Sequence, residues 1–282
     1  MSAADVPPDI AGALAWARAR IDLMDARVLL RHVLQCPAST LVAWPERVLA
    51  AVDWAQFADL VARRHAGEPV AYLIGEREFY GRDFLVTPAV LIPRPDTELL
   101  VELALAYFAG RLRPHVLDLG TGSGALAVTL ALELDGAEVT AVDRSREALW
   151  VAMANATRLG ASVSFVQSDW YAALGGERFH LIVANPPYIA AADPHLQQGD
   201  LRFEPRTALA AGPAGLDDLA DIVAGAPHHL EEGGWLFMEH GYDQASAVRG
   251  LLADAGFADI ASWRDLAGIE RASGGRWRGR RG

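Results

Sequence analysis

From residue 115 onward the chain alternates short apolar runs with segments of helical length, and nothing else in the sequence restricts the fold as much. Residues 116–119, 138–142, 163–166, 181–184 and 235–238 read as strands, and residues 257–263 continue the pattern. Several of these runs are continuously apolar, as expected of strands covered on both faces. The stretches 125–134, 145–159, 216–230 and 243–255 read as helices, with Ser145 placed to cap the second. This succession predicts an α/β fold, a doubly wound and mostly parallel sheet, whose ligands gather at the carboxyl ends of its strands. The chemically distinctive residues fall at those ends: Gly120 to Gly124, Asp143, Asp169-Trp170 and Asn185.

The fourth strand stops abruptly at Asn185-Pro186-Pro187-Tyr188. Neither proline has a backbone N–H, so the turn presents carbonyl oxygens beside the Asn185 amide. Tyr188 adds a flat ring able to cover a planar group. Such a turn suits a substrate with an NH2 on a planar frame: a carboxamide, or the exocyclic amine of a nucleobase. Two acceptors hold the NH2 hydrogens while the nitrogen is aimed at an electrophile. The competing reading is a strand that ends in an ordinary Pro-Pro turn. Upstream, Asp118 is followed by Gly120-Thr121-Gly122-Ser123-Gly124. Glycines there let the backbone turn sharply and a ligand approach closely. Read loosely, Gly120, Gly122 and Ala125 also fit the dinucleotide pattern G-x-G-x-x-A, and Asp143 lies about 20 residues on, where ribose hydroxyls are held. The loop alone therefore admits both a nicotinamide dinucleotide and S-adenosylmethionine. Asp118 and the third glycine, Gly124, favour the methyl donor, whose amino-acid end carries an ammonium and a sulfonium. Asp169 and Trp170 then receive its adenine, unless they form only a strand-end turn.

The first eighty residues read as helices without catalytic spacing. Residues 10–20 form one, Asp22 caps a second with an apolar stripe, and a third begins at Asp53, with Gln56 completing a capping box, and ends at Gly67. Around Gly81 the texture is strand, turn, strand, which predicts a β-hairpin linker. Ile92-Pro93-Arg94-Pro95-Asp96-Thr97-Glu98 follows, extended by its prolines and leading into a helix to about residue 109. Arg94 there either lines the substrate site or forms an ion pair that fixes the linker. The predicted domains are residues 1–74, helical; 75–95, hairpin linker; and 96–282, the sheet. The net charge of −11 argues against a nucleic-acid partner. The single cysteine, Cys36, fits packing in a reducing cytosol. No signal peptide or membrane-length apolar run is apparent. No His, Cys and Asp cluster has metal-ligand spacing. The Arg- and Gly-rich stretch from Arg271 to Arg281 reads as a solvated, frayed terminus rather than a nucleic-acid contact.

Asp118 to Gly124 followed by Asn185-Pro186-Pro187-Tyr188 resembles the motif pair of S-adenosylmethionine-dependent amino-methyltransferases. A fuller set resembles one family, the N5-glutamine methyltransferases of peptide chain release factors. That set includes Gly67-Glu68-Pro69-Val70-Ala71-Tyr72, Glu78-Phe79-Tyr80, the Ile92 to Glu98 segment and Gln167-Ser168-Asp169-Trp170. Asp193-Pro194-His195-Leu196, Arg202-Phe203-Glu204-Pro205 and Glu239-His240-Gly241 complete it. The resemblance implies a class I, Rossmann-like methyltransferase domain. It implies Asn185, Pro186 and Tyr188 as catalytic residues, and the same three with Pro187 as substrate-binding residues. The cofactor S-adenosylmethionine would lie against Asp118, Gly120, Thr121, Gly122, Ser123, Gly124, Asp143, Asp169, Trp170 and Asn185. The implied substrate is the glutamine of the Gly-Gly-Gln motif in class 1 release factors, held in part by the helical domain. A cytoplasmic monomer without metal, nucleic-acid or membrane partner completes the expectation. An adenine-N6 methyltransferase is the alternative that the N-P-P-Y tetrapeptide leaves open.

Overall fold

The computed structural model describes residues 8–108, 110 and 113–279. The chain divides into two compact units, Met1–Glu76 and Arg77–Gly282.

The first unit is helical. Helix α1 (Ile10–Arg18) starts where the Asp9 carboxylate accepts from Gly12 N at 2.7 Å. Helix α2 (Leu23–Leu34) starts the same way, Asp22 accepting from Met24 N at 2.7 Å. Helices α3 (Ala38–Ala43), α4 (Ala51–His65) and α5 (Val70–Ile74) follow. Ile10, Ala17, Leu29, Leu30, Phe57 and Val61 are fully buried at the centre, and Trp16 meets Trp54 edge-on at 4.8 Å between ring centroids. The expected capping box at Asp53 is not formed. Helix α4 begins at Ala51 with no side-chain cap, and Asp53 lies inside its first turn. An acid there is favoured by the helix dipole alone, so the same residue serves without capping. Helices α3 and α5 are too short to show a period.

The second unit opens with the hairpin of β1 (Glu76–Phe79) and β2 (Arg82–Leu85). Tyr80 and Gly81 take positive φ of 50° and 72°, as a tight hairpin turn demands. Helix α6 (Glu98–Phe108) leads into an alternating series: β3 (His115–Leu119), α7 (Ala125–Glu133), β4 (Glu138–Asp143), α8 (Arg146–Leu159) and β5 (Val163–Gln167). Then come β6 (Phe179–Ala184), α9 (Asp217–His229), β7 (Leu230–Glu239), α10 (Ala245–Asp254), β8 (Ala258–Arg264) and β9 (Glu270–Arg276). Among the described residues seven strands form one sheet in the order β5-β4-β3-β6-β7-β9-β8, parallel except where β9 runs against both neighbours. Both faces are covered. Val116, Leu181, Val183 and Phe237 pack with α6 and α7, whereas Leu117, Leu119, Ile182 and Met238 pack with α9 and α10. The side chains of a single strand thus go alternately to two apolar layers, which explains the unbroken apolar runs.

The strand order reverses between β3 and β6. Leu119 lies opposite Val142 on one side and Ala184 on the other, and Ala184 lies opposite Met238. The residues that follow (Gly120, Asp143, Asn185 and Glu239) therefore form one row along the carboxyl edge of the sheet.

One expectation is overturned. Residues 271–276 of the supposed frayed tail belong to β9, an interior strand between β7 and β8. Ala272, Ser273, Gly274 and Gly275 are buried there. A Cβ on Gly274 would stand 2.4 Å from the Leu236 carbonyl oxygen and 2.5 Å from the Phe237 ring. Small residues are required because the neighbouring backbone and ring come so close, and their composition resembles that of a flexible tail. Arg280 and Arg281 lie outside the described residues.

Candidate active site

A cavity of about 320 Å³ opens at the switch point. One end is built by the loop after β3. Gly120, Gly122 and Gly124 all have positive φ, at 73°, 54° and 81°. Asp118, the penultimate residue of β3, is 1% exposed. Its Oδ2 accepts from Thr121 Oγ1 at 2.6 Å and from Ala127 N at 3.2 Å, and its Oδ1 has no partner. Burial lifts its pKa to about 7, against the lowering effect of those two hydrogen bonds. Asp143, at the end of β4, accepts from Gly122 N at 2.9 Å and Ser145 N at 2.8 Å, which fixes the glycine loop to the start of α8. Burial raises its pKa as well. Four lining carboxylates (Asp118, Asp143, Glu147 and Asp169) face one guanidinium, that of Arg144. This balance suits a cationic ligand. It also weighs against a dinucleotide, because an α7 amide that would greet a pyrophosphate, Ala127 N, is already bound to Asp118.

The other end is built by Asn185. Its Nδ2 donates to Thr97 Oγ1 at 2.9 Å. Thr97 Oγ1 donates to Glu239 Oε2 at 2.6 Å, and the Tyr188 hydroxyl donates to Glu239 Oε1 at 3.0 Å. Glu239 is 2% exposed, and burial raises its pKa against the lowering effect of these two donors. The Asn185 Oδ1 is left buried with no partner. Such an acceptor costs about 1–3 kcal/mol when unpaired. Three buried side-chain oxygens lack a partner among the described residues, and two of them, Asp118 Oδ1 and Asn185 Oδ1, belong to residues that line this cavity.

Of the residues singled out in the sequence, Asp118, Gly120, Thr121, Gly122, Ser123, Asp143, Asp169, Trp170, Asn185 and Pro187 line the cavity. Gly124, Pro186 and Tyr188 are not among its lining residues. A Cβ on Gly124 would meet the Ala152 Cβ at 3.0 Å, so this glycine admits α8 rather than a ligand. Tyr188 is fixed by its hydroxyl. Arg94 does not line the cavity but forms an ion pair with the fully buried Glu204, whose other oxygen accepts from Ile92 N at 3.2 Å. That pair ties two wall segments together: residues 88–91 with Pro93, and Pro205 with Thr207 and Ala208. Thr97, Ser168 and these wall segments were not assigned to the site from sequence, nor was Glu239. Glu239 had two usable signals, the Glu239-His240-Gly241 motif and its place at a strand's carboxyl end in the same row as Asp143 and Asn185. Among the described residues no group of three His, Cys, Asp or Glu side chains is placed to hold a metal ion, and no helix is long and apolar enough to cross a membrane.

Comparison with known proteins bears on this geometry. Residues 12–75 match the family model described as the PrmC N-terminal domain, and residues 96–200 match that of the methyltransferase small domain. The release factor glutamine methyltransferase of Burkholderia pseudomallei is 55% identical over 91% of this chain and 92% of its own length. That of Bordetella pertussis is 56% identical over 89% of this chain and 94% of its own. Among solved structures, a methyltransferase from Pyrococcus furiosus gives a TM-score of 0.54 at 19% identity, covering 79% of this chain and all of that one, a likeness of fold. Identity of this extent along nearly the whole chain, in a class I methyltransferase fold with both motifs at the cavity, makes the protein a member of the release factor glutamine methyltransferase family.

Proposed function

We propose that this protein methylates the side-chain amide nitrogen, N5, of the glutamine in the Gly-Gly-Gln motif of class 1 peptide chain release factors, with S-adenosylmethionine as donor. The observation that carries the reading is the unpaired Asn185 Oδ1 in the wall of an acid-lined cavity. When bound, the cofactor supplies a methyl group made electrophilic by its sulfonium. The protein's residues do the rest by holding. Asp118 Oδ1 receives the ammonium of the cofactor's amino-acid end, for which a buried, unpaired carboxylate oxygen is suited. Asp143 receives ribose hydroxyls on the lone pairs its two backbone bonds leave free. Asp169 and Trp170 receive the adenine, and the glycine loop gives the chain of the cofactor room.

On the substrate side, Asn185 Oδ1 and the Pro186 carbonyl accept the two hydrogens of the glutamine NH2. The ring of Tyr188 and Pro187 cover the flat carboxamide. An amide nitrogen is a weak nucleophile because its lone pair is delocalised into the carbonyl. Orienting that lone pair and excluding water therefore supply most of the rate gain, and no strong base is called for. The nitrogen loses its extra proton after transfer. The helical domain, residues 1–74, takes part in holding the release factor, with residues 75–95 as linker and 96–282 as the catalytic domain. The protein acts in the cytoplasm as a monomer. Its charge of −11 supports a protein substrate rather than nucleic acid.

The test is methyl transfer from labelled S-adenosylmethionine to three acceptors in parallel: intact release factor, the same factor with its Gly-Gly-Gln glutamine changed to alanine, and bulk DNA. Label on the intact factor alone is expected. Label on DNA would transfer the case to adenine methylation, and label on both forms of the factor would move the target to another residue.

A further inference from the structure

An asparagine amide has two ends of nearly equal shape and opposite hydrogen-bonding character. Only the oxygen end can accept from a substrate NH2. Turned over, Asn185 would set donor against donor. Something must therefore hold the amide one way round before substrate arrives.

We propose that Thr97 is a positioning residue that fixes the polarity of the Asn185 amide, and that Glu239 is the acceptor that fixes Thr97 in turn. The proposal rests on the function given above, in which Asn185 Oδ1 accepts from the glutamine amide. The argument follows the protons outward from the carboxylate. In the ionised form that the proposal assigns to it, Glu239 has acceptors only, and each of its oxygens already faces a hydroxyl, Tyr188 at 3.0 Å and Thr97 at 2.6 Å. A hydroxyl has one proton to donate. The Thr97 proton is committed to Glu239, so toward Asn185 its oxygen can only accept. The atom 2.9 Å away must then be the Asn185 nitrogen, and Oδ1 becomes the end left over. One buried charge thus sets the direction of two consecutive hydrogen bonds and leaves a ready acceptor in the cavity wall. Thr97 itself lines the cavity, yet its hydroxyl is spent on this arrangement.

Three variants of the full chain test this: Thr97→Val, Thr97→Ser and Glu239→Gln. Thr97→Val keeps the branched shape and removes the hydroxyl. Its kcat on release factor is expected to fall by ~10- to 100-fold while the Kd for S-adenosylhomocysteine stays within about 2-fold. Thr97→Ser keeps the hydroxyl and is expected to retain kcat within about 3-fold. Glu239→Gln replaces an all-acceptor group by a mixed one, admits both polarities, and is expected to lose ~3- to 10-fold in kcat. The second readout is the Asn185 side-chain amide signal in a 15N–1H NMR spectrum, identified by its loss in Asn185→Ala. It is expected to move in Thr97→Val and to stay in Thr97→Ser. A Thr97→Val enzyme with wild-type kcat would overturn the proposal, as would an Asn185 signal unmoved by loss of the hydroxyl. So would equal losses in Thr97→Val and Thr97→Ser, which would trace the effect to packing of the methyl group. Unchanged kcat in Glu239→Gln would remove Glu239 from it. Should the wild-type chain label no release factor, the proposed function fails, while the NMR arm still decides whether Thr97 orients the amide.

Discussion

Asn185 and Asp118 are each left with one buried oxygen that has no partner among the described residues, and both are held there by bonds to their other atoms. Leaving such atoms unpaired costs stability, which a bound hydrogen-bond donor can recover. For Asn185→Ala we expect methyl transfer to fall by ~10²-fold or more, with cofactor binding largely spared and the melting temperature little changed. Turnover near that of the wild type would remove Asn185 from the chemistry. Asp118 gives a pH dependence whose sign is fixed. Its carboxyl has a pKa of about 7 because it is buried. A bound ammonium beside Oδ1 favours the ionised form, so the complex holds fewer protons than the free protein, and lowering the pH weakens binding. Calorimetric titration should find S-adenosylmethionine bound roughly 5-fold more weakly at about pH 6 than at about pH 7.5, above which loss of the ligand's own ammonium proton opposes any further gain. Asp118→Asn should bind more weakly with a flat profile. An affinity that does not change with pH in the parent protein would refute the assignment. Asp118 and Asn185 were legible in the sequence because each sits in a local motif. Thr97 and Glu239 were not, because their bond joins positions 142 apart and only the sheet brings them together.

At the scale of elements, a wall of the cavity depends on a tie between two irregular segments. Glu204 has a fully buried side chain, with Arg94 on one oxygen and Ile92 N on the other. Burial raises its pKa, and the Arg94 guanidinium opposes that only in part. Arg94→Ala leaves a carboxylate in the interior with a single amide donor. Breaking a fully buried pair costs about 3–5 kcal/mol, and because Arg94 is partly exposed we expect about 2–3 kcal/mol in a denaturant titration. Pro205 and Thr207 belong to the same wall, so cofactor affinity should fall too. Glu204→Gln should cost less, because the guanidinium it leaves unpaired is partly exposed to solvent. Equal costs for the two variants would mean that charge plays no part. The sequence offered Arg94 both as a lining residue and as an ion pair. Proline stiffness was visible around it, but the partner lay 110 residues away. Elements with a long period or a capping residue, such as α2 and α8, were legible almost to their ends. The short α3 and α5 carry too few residues for a pattern, and the start of α4 was misjudged because an acid near a helix start is favoured whether or not it caps.

At the scale of the whole molecule, the doubly wound sheet was legible because each parallel strand is buried on two faces and must be apolar throughout. Its antiparallel edge was not, since β9 follows a different rule. Its interior residues, Ala272, Ser273, Gly274 and Gly275, are all small, and Phe237 and Phe257 press against the strand at the two glycines, so its sequence has neither bulk nor alternation. The strand pairs with β7 on one side and β8 on the other, and β7 carries Glu239 at its carboxyl end. Trp277, just beyond β9, packs against Phe257 with ring centroids 5.7 Å apart. Strand β9 and Trp277 therefore belong to the core, and two truncations separate this from the frayed-terminus reading. Ending the chain after Gly279 keeps β9 and Trp277 and should leave thermal unfolding unchanged. Ending it after Ile269 removes β9 and Trp277 together. That strips β8 from the sheet and uncovers β7, an edge whose backbone groups would then seek partners in other chains. The shorter product should be insoluble or should lack a cooperative transition, and a soluble protein that melts like the parent would contradict the interior placement of β9. Because β7 also carries the acceptor for Thr97 and Tyr188, loss of β9 should abolish transfer even in any fraction that stays in solution.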